Sequence, residues 1–335
     1  MTKVIFCPSP GKMSKGKGLG CFYINPMFLA ILVFAGSLLQ AIAAAKPKPL
    51  PASTPVPTFD STRAFRYLTE QCNFGPRNTG GEGHHRAIDY FIGHFKSLGI
   101  PLQAQKFVHT DMTTGEKVPL TNLIAIVKGK DSKRKPVLFC AHWDTRPRAD
   151  QEANPAFHDR PILGANDGAS GTAVLMELAN LLKRKAPLQT VYIVLFDGED
   201  YGREGNIEEY FLGARYFAEN LPVKSFEYAL LLDMIGDADL SLPMERNSMK
   251  QSPLIVAKIW QAAQSLGLTA FKSGLGPSVL DDHMPLQAKG IPAIDIIDFD
   301  YPAWHTLGDS PDKCSAFSLG MSGTLVTYLA FRGLP

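Results

Sequence analysis

The chain has 335 residues, of which 45% are hydrophobic and 20% are charged, and its formal net charge at pH 7 is +2. These proportions are ordinary for a globular protein, and the length allows one large domain or two of average size. The near-neutral charge gives no reason to expect nucleic acid as a partner.

The first 45 residues differ from the rest of the chain. Their only charges are four lysines, which precede an apolar run of 19 residues from Met27 to Ala45. A basic start, an apolar stretch and an alanine-rich end are typical of a secretory signal, here cut near Ala43 to Ala45. Initiation at Met13 would keep two of the lysines. The alternative is an uncleaved membrane anchor, because 19 residues can just span a bilayer. Both interpretations predict export, to the periplasm or the medium.

Residues 46–59 contain five prolines and predict an extended linker before a folded part at 60–335. Without residues 1–45 the net charge changes from +2 to −2, because four lysines and no acidic residues are removed. Cys72, Cys140 and Cys314 remain, an odd number without the spacing of a metal site. An exported protein can pair two of them, but Cys140 lies in an apolar run that is typical of a buried thiol.

Helical and strand-like patterns alternate along the folded part. Helices are predicted over about 61–73, 82–98, 166–185, 214–220, 254–266 and 316–332, and strands over about 102–110, 123–127, 136–140, 191–196, 228–232 and 293–297. This alternation predicts an α/β fold with a central mixed, mostly parallel sheet and helices on both faces. No internal repeat or second change of composition divides residues 60–335, so we expect a single globular domain.

Residues of the types that can bind metal ions follow several predicted strands. They are His142 with Asp144, Asp167, Glu199 with Asp200, Asp233, and His305. In open α/β sheets, ligands bind outside the carboxyl ends of the strands. Oxygen and imidazole ligands without cysteine favour zinc in an open, catalytic site. Each residue also has a structural interpretation: Asp167 can cap the next helix, and Asp233 can accept hydrogen bonds from loop amides. The long polar loop from Arg146 to Gly164 is typical of a functional segment.

The order of these residues resembles the zinc aminopeptidase superfamily of co-catalytic exopeptidases. Three stretches are more similar to the glutaminyl cyclases (glutaminyl-peptide cyclotransferases), especially the bacterial ones related to the animal enzymes. They are Phe196–Gly202 (FDGEDYG), Leu280–Pro285 (LDDHMP), and Asp300–Thr306 (DYPAWHT) followed by Asp309–Cys314 (DSPDKC). The resemblance extends from about Phe65 to the C-terminus, and it implies a zinc-exopeptidase-like fold.

The resemblance to the cyclases implies one zinc ion held by Asp167, Asp200 and His305. The fourth position would take water or the γ-carbonyl oxygen of an N-terminal glutamine. Glu199 would be a proton shuttle, which accepts a proton from the substrate α-amine and passes it to departing ammonia. The implied activity is that of an acyltransferase that forms pyroglutamate, and the implied partners are peptides or proteins with an N-terminal glutamine.

Three further residues receive roles from the same resemblance. Asp281 would hydrogen-bond the amine or the leaving group, and Asp233 would complete an acidic network with Glu199 and Asp281. Crowding by these two acids should raise the pKa of Glu199, as a shuttle near neutrality requires. Trp304 would form a wall of the pocket against the glutamine side chain, although it also has an interpretation as ordinary core packing.

Two other functions stay open at this stage. His142 and Asp233 stand where the aminopeptidases bind a second metal ion. An exported two-zinc aminopeptidase is therefore the alternative, with Glu199 as the general base and Asp167 bridging the metal ions. The third interpretation is an exported binding protein that keeps the fold without catalysis.

The chain also departs from the animal cyclases. Cys140 lies near the first position of a disulfide in those enzymes, but Thr172 stands at the second, so this bridge is not expected. The loop Arg203–Glu209 differs from its tryptophan-bearing animal counterpart. Asp282 is interpreted as a helix cap, because Pro285 would then lie in the first turn, and the role of the next residue, a histidine, is left open.

Overall fold

The computed structural model describes residues 55–335. The predicted signal or anchor segment and residues 46–54 of the linker lie outside the described residues. Within residues 55–335, no helix is long and apolar enough to cross a membrane. At the start of this part Val56 and Phe59 pack against the core, and the ring of Phe59 fills the space beside Gly323.

Eight strands form two sheets in the described part of the chain. They are β1 (Leu102–Thr110), β2 (Lys117–Val127), β3 (Val137–His142), β4 (Val191–Phe196), β5 (Ala229–Asp233), β6 (Leu242–Met244), β7 (Phe271–Leu275) and β8 (Ala293–Ile297). The central sheet has six strands in the order β1-β2-β4-β3-β5-β8, and β6 and β7 form a separate parallel pair.

The central sheet is mixed, as predicted. Strands β4, β3, β5 and β8 pair in parallel, whereas β2 pairs antiparallel with both β1 and β4. Every residue of the four parallel strands is buried, which explains their continuous apolar sequences. Strand β1 is at the edge and has several exposed residues, so its sequence is more polar.

Helices cover both faces of the central sheet. They are α1 (Ser61–Cys72), α2 (Glu82–Ser97), α3 (Ala169–Arg184), α4 (Leu212–Glu219), α5 (Arg246–Gln251), α6 (Pro253–Ser265), α7 (His283–Ala288) and α8 (Ala316–Arg332). Along β3, Phe139 packs in the apolar cluster that contains residues of α1, α2, α3, α6 and α8. Its neighbours Leu138 and Cys140 pack in the opposite cluster with α4 and Leu286 of α7. This alternation is what a strand between two helical layers requires.

The predicted elements are present, some with the predicted bounds and others with shifted ends. Strand β3 continues to His142, so this histidine is the last residue of the strand and not part of a following loop. Helix α3 begins at Ala169, because Gly168 has a φ of +102° that a regular helix does not allow. The pair β6–β7 and the helix α5 were not predicted as elements, since three to six residues are too few to show a period. The start of α7 was indicated only by the cap interpretation of Asp282.

The three cysteines of the described part are buried and free. The interpretation of Cys140 as a buried thiol is confirmed, and no two of the three pair with each other. Thr172, which stands at the second position of the animal disulfide, donates a hydrogen bond from its hydroxyl to Gln71 Oε1 at 2.7 Å.

Candidate active site

The carboxyl ends of the parallel strands bring the predicted residues to one edge of the sheet. His142 and Asp233 are the last residues of β3 and β5, and Glu199 and Asp200 follow β4 after a turn. His305 follows β8 and has a φ of +54°, which is uncommon outside glycine. Because these strands run in parallel and adjacent to one another, side chains distant in the chain meet above the same edge.

The first group of candidate metal ligands consists of Asp167, Asp200 and His305. All three are buried, and one ligand atom of each lies within 4.8 Å of the others. His305 Nε2 is 3.1 Å from Asp200 Oδ2 and 3.5 Å from Asp167 Oδ2. Among the described residues, Asp200 Oδ2 accepts no hydrogen bond although it is buried. Two carboxylates and one imidazole that leave a buried oxygen unsatisfied fit a zinc ion with an open coordination position.

The second group consists of His142, Asp167 and Asp233. His142 Nε2 lies 3.1 Å from Asp233 Oδ1 and 3.2 Å from Asp167 Oδ1. Asp167 therefore turns one oxygen to His142 and the other to His305. It does not cap α3, since the cap position is Gly168 and no side chain caps this helix. A carboxylate shared between two groups of ligands is compatible with one metal ion and with two.

Asp144 holds the turn after β4. Its Oδ1 accepts a hydrogen bond from the backbone N–H of Glu199 at 3.0 Å, and its Oδ2 accepts one from Asp200 at 3.3 Å. The same carboxylate lies 3.6 Å from His142 Nδ1. Asp144 thus fixes Glu199 and Asp200 relative to each other, and its negative charge lies beside His142.

Two residues of the loop that begins at Arg146 contact the candidate ligands Asp200 and His305. Arg146 is 2% exposed, forms an ion pair with Asp200, and donates a hydrogen bond to the hydroxyl of Tyr210 at 3.0 Å. It also pairs with Asp150, whose Oδ1 lies 3.6 Å from His305 Nδ1. A carboxylate behind a histidine ligand fixes the orientation of the ring. The sequence indicated that this loop is functional, but it did not identify these two residues.

Asp309 holds the backbone of the candidate ligand Asp167 by hydrogen bonds. It is fully buried and accepts hydrogen bonds from the backbone N–H of Asn166 at 2.8 Å and of Asp167 at 3.1 Å. It also accepts one from the hydroxyl of Tyr301 at 2.9 Å. Burial, together with the nearby charge of Asp167, raises the pKa of Asp309 to about 7. Asp309 belongs to a stretch that carries the resemblance to the cyclases, which was the only sequence signal for it.

A cavity of about 300 Å³ opens over the first group. Seven predicted site residues line it, namely Asp167, Glu199, Asp200, Asp233, Asp281, Trp304 and His305. Trp304 stacks on His305 with ring centroids 3.8 Å apart, so it forms a wall of the cavity and is not simply a core residue. His142 is 1% exposed and lies behind the cavity lining.

Two acids that line the cavity, Glu199 and Asp281, have raised pKa values. Burial raises the pKa of Glu199 well above its ordinary value, and the charge of Asp200 raises it further. The direction agrees with the sequence prediction, but the leading causes are burial and Asp200 and not crowding by Asp233 and Asp281. Burial also raises the pKa of Asp281 well above its ordinary value, with Asp233 as the largest charge contribution. Both carboxyls therefore take up a proton at a higher pH than an exposed acid does.

A buried acidic cluster continues behind Asp281. Asp281, His283 and Asp295 form a third group whose ligand-type atoms lie within 4.8 Å of one another. Burial raises the pKa of Asp282 and of Asp295 well above the ordinary value, and the neighbouring carboxylates raise it further. Asp282 stands at the cap position of α7, but its side chain makes no hydrogen bond to that helix. The predicted position of Asp282 at the start of a helix is therefore confirmed, whereas the described structure shows no capping hydrogen bond from its side chain.

Comparison with known proteins gives matches over most of the folded part. The model of peptidase family M28 matches residues 122–330, which is more than half of the chain. An aminopeptidase of Bacillus subtilis (strain 168) is 26% identical over 255 residues, with 72% of this chain and 51% of that protein covered. The chain therefore spans about half of the length of this curated relative.

Solved structures match over nearly their full length. A glutaminyl cyclase from Bacteroides thetaiotaomicron, bound to N-acetylhistamine, has a TM-score of 0.78 and 32% identity, and the match covers 83% of this chain and 99% of that one. A Zn-dependent exopeptidase from Parabacteroides distasonis ATCC 8503 has a TM-score of 0.79 and 32% identity, with 83% and 100% covered. The zinc-exopeptidase-like fold is thereby confirmed.

Proposed function

The chain belongs to peptidase family M28, and on that premise we propose that it is a glutaminyl-peptide cyclotransferase. It would convert the N-terminal glutamine of peptides and proteins to pyroglutamate and release ammonia. The similarity to the B. thetaiotaomicron glutaminyl cyclase over 99% of its length supports this proposal. The observation that carries it is the position of Asp281, a buried acid with a raised pKa, in the same cavity as Glu199.

Asp167, Asp200 and His305 would hold one zinc ion, which supplies a Lewis acid for the γ-carbonyl oxygen of the substrate glutamine. The donor set, the burial of all three residues and the unsatisfied Oδ2 of Asp200 support this assignment. Arg146 forms an ion pair with Asp200, and Asp150 lies behind His305, so both hold the ligands in place.

Ring closure needs one bond formed, one broken and one proton moved. The α-amine nitrogen bonds to the carbon of the side-chain amide, and the bond from that carbon to the amide nitrogen breaks. Glu199 accepts the proton from the amine and gives it to the leaving nitrogen, which departs as ammonia. The raised pKa of Glu199 suits both halves of this transfer near neutral pH. Asp281 would hydrogen-bond the amine or the leaving group, and Asp233 would complete the network.

Trp304 and the cavity that it lines would supply the positioning. The Trp304 ring, which stacks on His305, would contact the glutamine side chain beside the proposed zinc ligands. This contact would hold the amide carbon of the glutamine near its α-amine. Because the nucleophile and the electrophile belong to one residue, orientation accounts for much of the rate enhancement.

A two-zinc aminopeptidase is the second candidate, and the shared carboxylate of Asp167 favours it. His142 and Asp233 would then complete a second metal site. Glu199 would act as general base toward water, and the peptide bond after the first residue would be hydrolysed.

The substrates would be met outside the cytoplasm, in the periplasm or the medium, since the first 45 residues have the composition of an export signal. An uncleaved segment would instead tether the enzyme to the membrane. We propose no nucleic-acid partner.

The test is incubation of the purified zinc-loaded protein with Gln-Ala amide, followed by an ammonia assay and mass spectrometry. We expect a peptide product lighter than the substrate by the mass of ammonia. Release of free glutamine would mean hydrolysis, and His142 and Asp233 would be reassigned as ligands of a second zinc ion. The same peptide with an acetylated amine is the control, because it lacks the attacking group and should give no ammonia.

A further inference from the structure

A second cavity of about 360 Å³ lies beside the active-site cavity, between α4 and α7. The two cavities share three wall residues, Ile207, Phe211 and Leu280, so they adjoin each other. We call the second cavity the side groove. Its volume is at the lower end of the range for ligand-binding clefts.

The walls of the side groove are mostly apolar. Beyond the shared residues they consist of Ala218, Met284, Pro285 and Ala288, with Arg215, Glu219 and Lys289 among the lining residues. Ile207 is 42% exposed and Leu280 is 58% exposed, although both are large and apolar. Contiguous exposed apolar side chains with a polar rim are typical of ligand-binding grooves, whereas single exposed ones are ordinary.

Charge at the side groove is balanced. Arg215 pairs with Glu208 at 3.4 Å, and Lys289 Nζ pairs with Glu219 at 2.7 Å. Because each cation already has a carboxylate partner, the groove offers no unpaired charge to a ligand. It therefore favours a neutral, apolar group over a charged one.

Hydrogen bonds from α4 hold the wall near Ile207 in place. Arg215 Nε donates to the carbonyl of Tyr210 at 2.9 Å, and its Nη2 donates to the carbonyl of Ile207 at 3.1 Å. Phe211 is buried and has a φ of +59°, a conformation that persists only where the surroundings impose it. The boundary between the cavities is thus formed before any substrate binds.

We propose that the side groove is a substrate subsite, which binds the third and fourth residues of the peptide and prefers apolar side chains there. This inference rests on the proposed function, and the aminopeptidase alternative equally places a peptide N-terminus in the active-site cavity. The first residue fills that cavity, and an extended chain then advances by about 3.3 Å per residue. The chain leaves over Ile207 and Leu280, and it enters the groove that shares these residues.

The experiment compares kcat/KM for three amides: Gln-Ala, Gln-Ala-Gly-Gly and Gln-Ala-Leu-Leu. We expect the leucine peptide to exceed the glycine peptide by roughly tenfold, mainly through a lower KM, since an apolar subsite discriminates by about this factor. Equal values for the two tetrapeptides in the wild-type protein would overturn the inference.

Ala288→Trp tests the location, because residue 288 is exposed on α7 and a tryptophan there fills the groove. The leucine-to-glycine ratio should fall to about one in this variant, and its turnover of Gln-Ala amide shows that it is folded. Gln261→Trp, on an exposed position of α6 outside the groove, is the matched control and should keep the wild-type ratio. A wild-type ratio in Ala288→Trp would overturn the assignment of the groove.

The two proposals fail in different ways. A wild-type protein that releases no ammonia from Gln-Ala amide refutes the proposed cyclase activity, and if it releases glutamine instead, the subsite is still tested by the same three amides. A protein that turns over this dipeptide amide but ignores leucine at the third and fourth residues refutes only the subsite.

Discussion

Substitution of Asp309 by asparagine should weaken zinc binding, although none of the proposed zinc ligands is replaced. Asp309 Oδ1 accepts hydrogen bonds from the backbone N–H of Asn166 and from the hydroxyl of Tyr301, and its Oδ2 accepts the N–H of Asp167. Asparagine has the same shape, but its NH2 group replaces one oxygen acceptor. Whichever way the amide turns, at least one buried N–H then faces another donor.

The magnitude follows from this mismatch. A buried donor left without an acceptor costs about 1–3 kcal/mol. Since the unsatisfied N–H would belong to Asp167 or to the residue before it, part of this cost appears as displacement of the ligand. Loss of an outer partner of a metal ligand typically lowers metal affinity by about 10–100-fold. We expect a loss of that size in Asp309→Asn.

The assay is a competition of the protein with a chromogenic zinc chelator. It is run above pH 7, because the pKa of Asp309 is raised to about 7 and the carboxylate must be ionised in the reference protein. Asp312→Asn is the matched control, since Asp312 has a 68% exposed side chain whose partners are Ser310 and Lys313, neither of which contacts the candidate ligands in the described structure. Zinc affinity of Asp309→Asn within twofold of wild type, in a protein that melts normally, would refute the positioning role.

Three other substitutions or conditions test the chemistry. Glu199→Gln should lower turnover by roughly 10²–10⁴-fold, the usual contribution of a proton-transfer group, while metal analysis finds zinc retained; loss of zinc would make Glu199 a ligand. His305→Ala should lose both zinc and activity, and full activity would remove His305 from the ligand set. The pH profile of kcat/KM should fall on the acid side as Glu199 becomes protonated and can no longer accept the amine proton. Because burial raises the pKa of Glu199 above 4.5, this acid limb should lie above pH 4.5, and a limb at or below that value would contradict the assignment.

The sequence allowed prediction of the strands whose ends carry the site, because buried parallel strands are continuous apolar runs that stop abruptly at polar residues. Val191–Phe196 followed by Asp197 is the clearest case, and its bounds are those of β4. The short elements around the site gave no such signal. Helix α7 has six residues, which is less than two turns, and the buried acids Asp281 and Asp282 lie directly before it.

The partners of the site residues could not be predicted in the same way. Asp144 and Asp309 act through backbone N–H groups, and Arg146 acts by an ion pair with a residue 54 positions away in the chain. Nearly every residue has a backbone N–H group. The sequence therefore does not indicate which of these groups will donate a hydrogen bond to a given carboxylate. The raised pKa of Glu199 was predicted in direction, but its leading cause is burial, which depends on the packed structure.

The sequence by itself determined the class of fold, the order of the ligand-type residues and the resemblance to zinc exopeptidases and cyclases. These depend on local periodicity and on residue identity, both of which are written along the chain. Only the tertiary structure decided that Asp167 divides its two oxygens between His142 and His305, that Trp304 stacks on His305, and that a side groove adjoins the cavity. The contacts of Asp167 and the walls of the groove join residues far apart in sequence, and Trp304 and His305, although neighbours in the chain, stack only in the conformation that the folded loop takes. All of these arrangements exist only once the parallel strands have brought their carboxyl ends together.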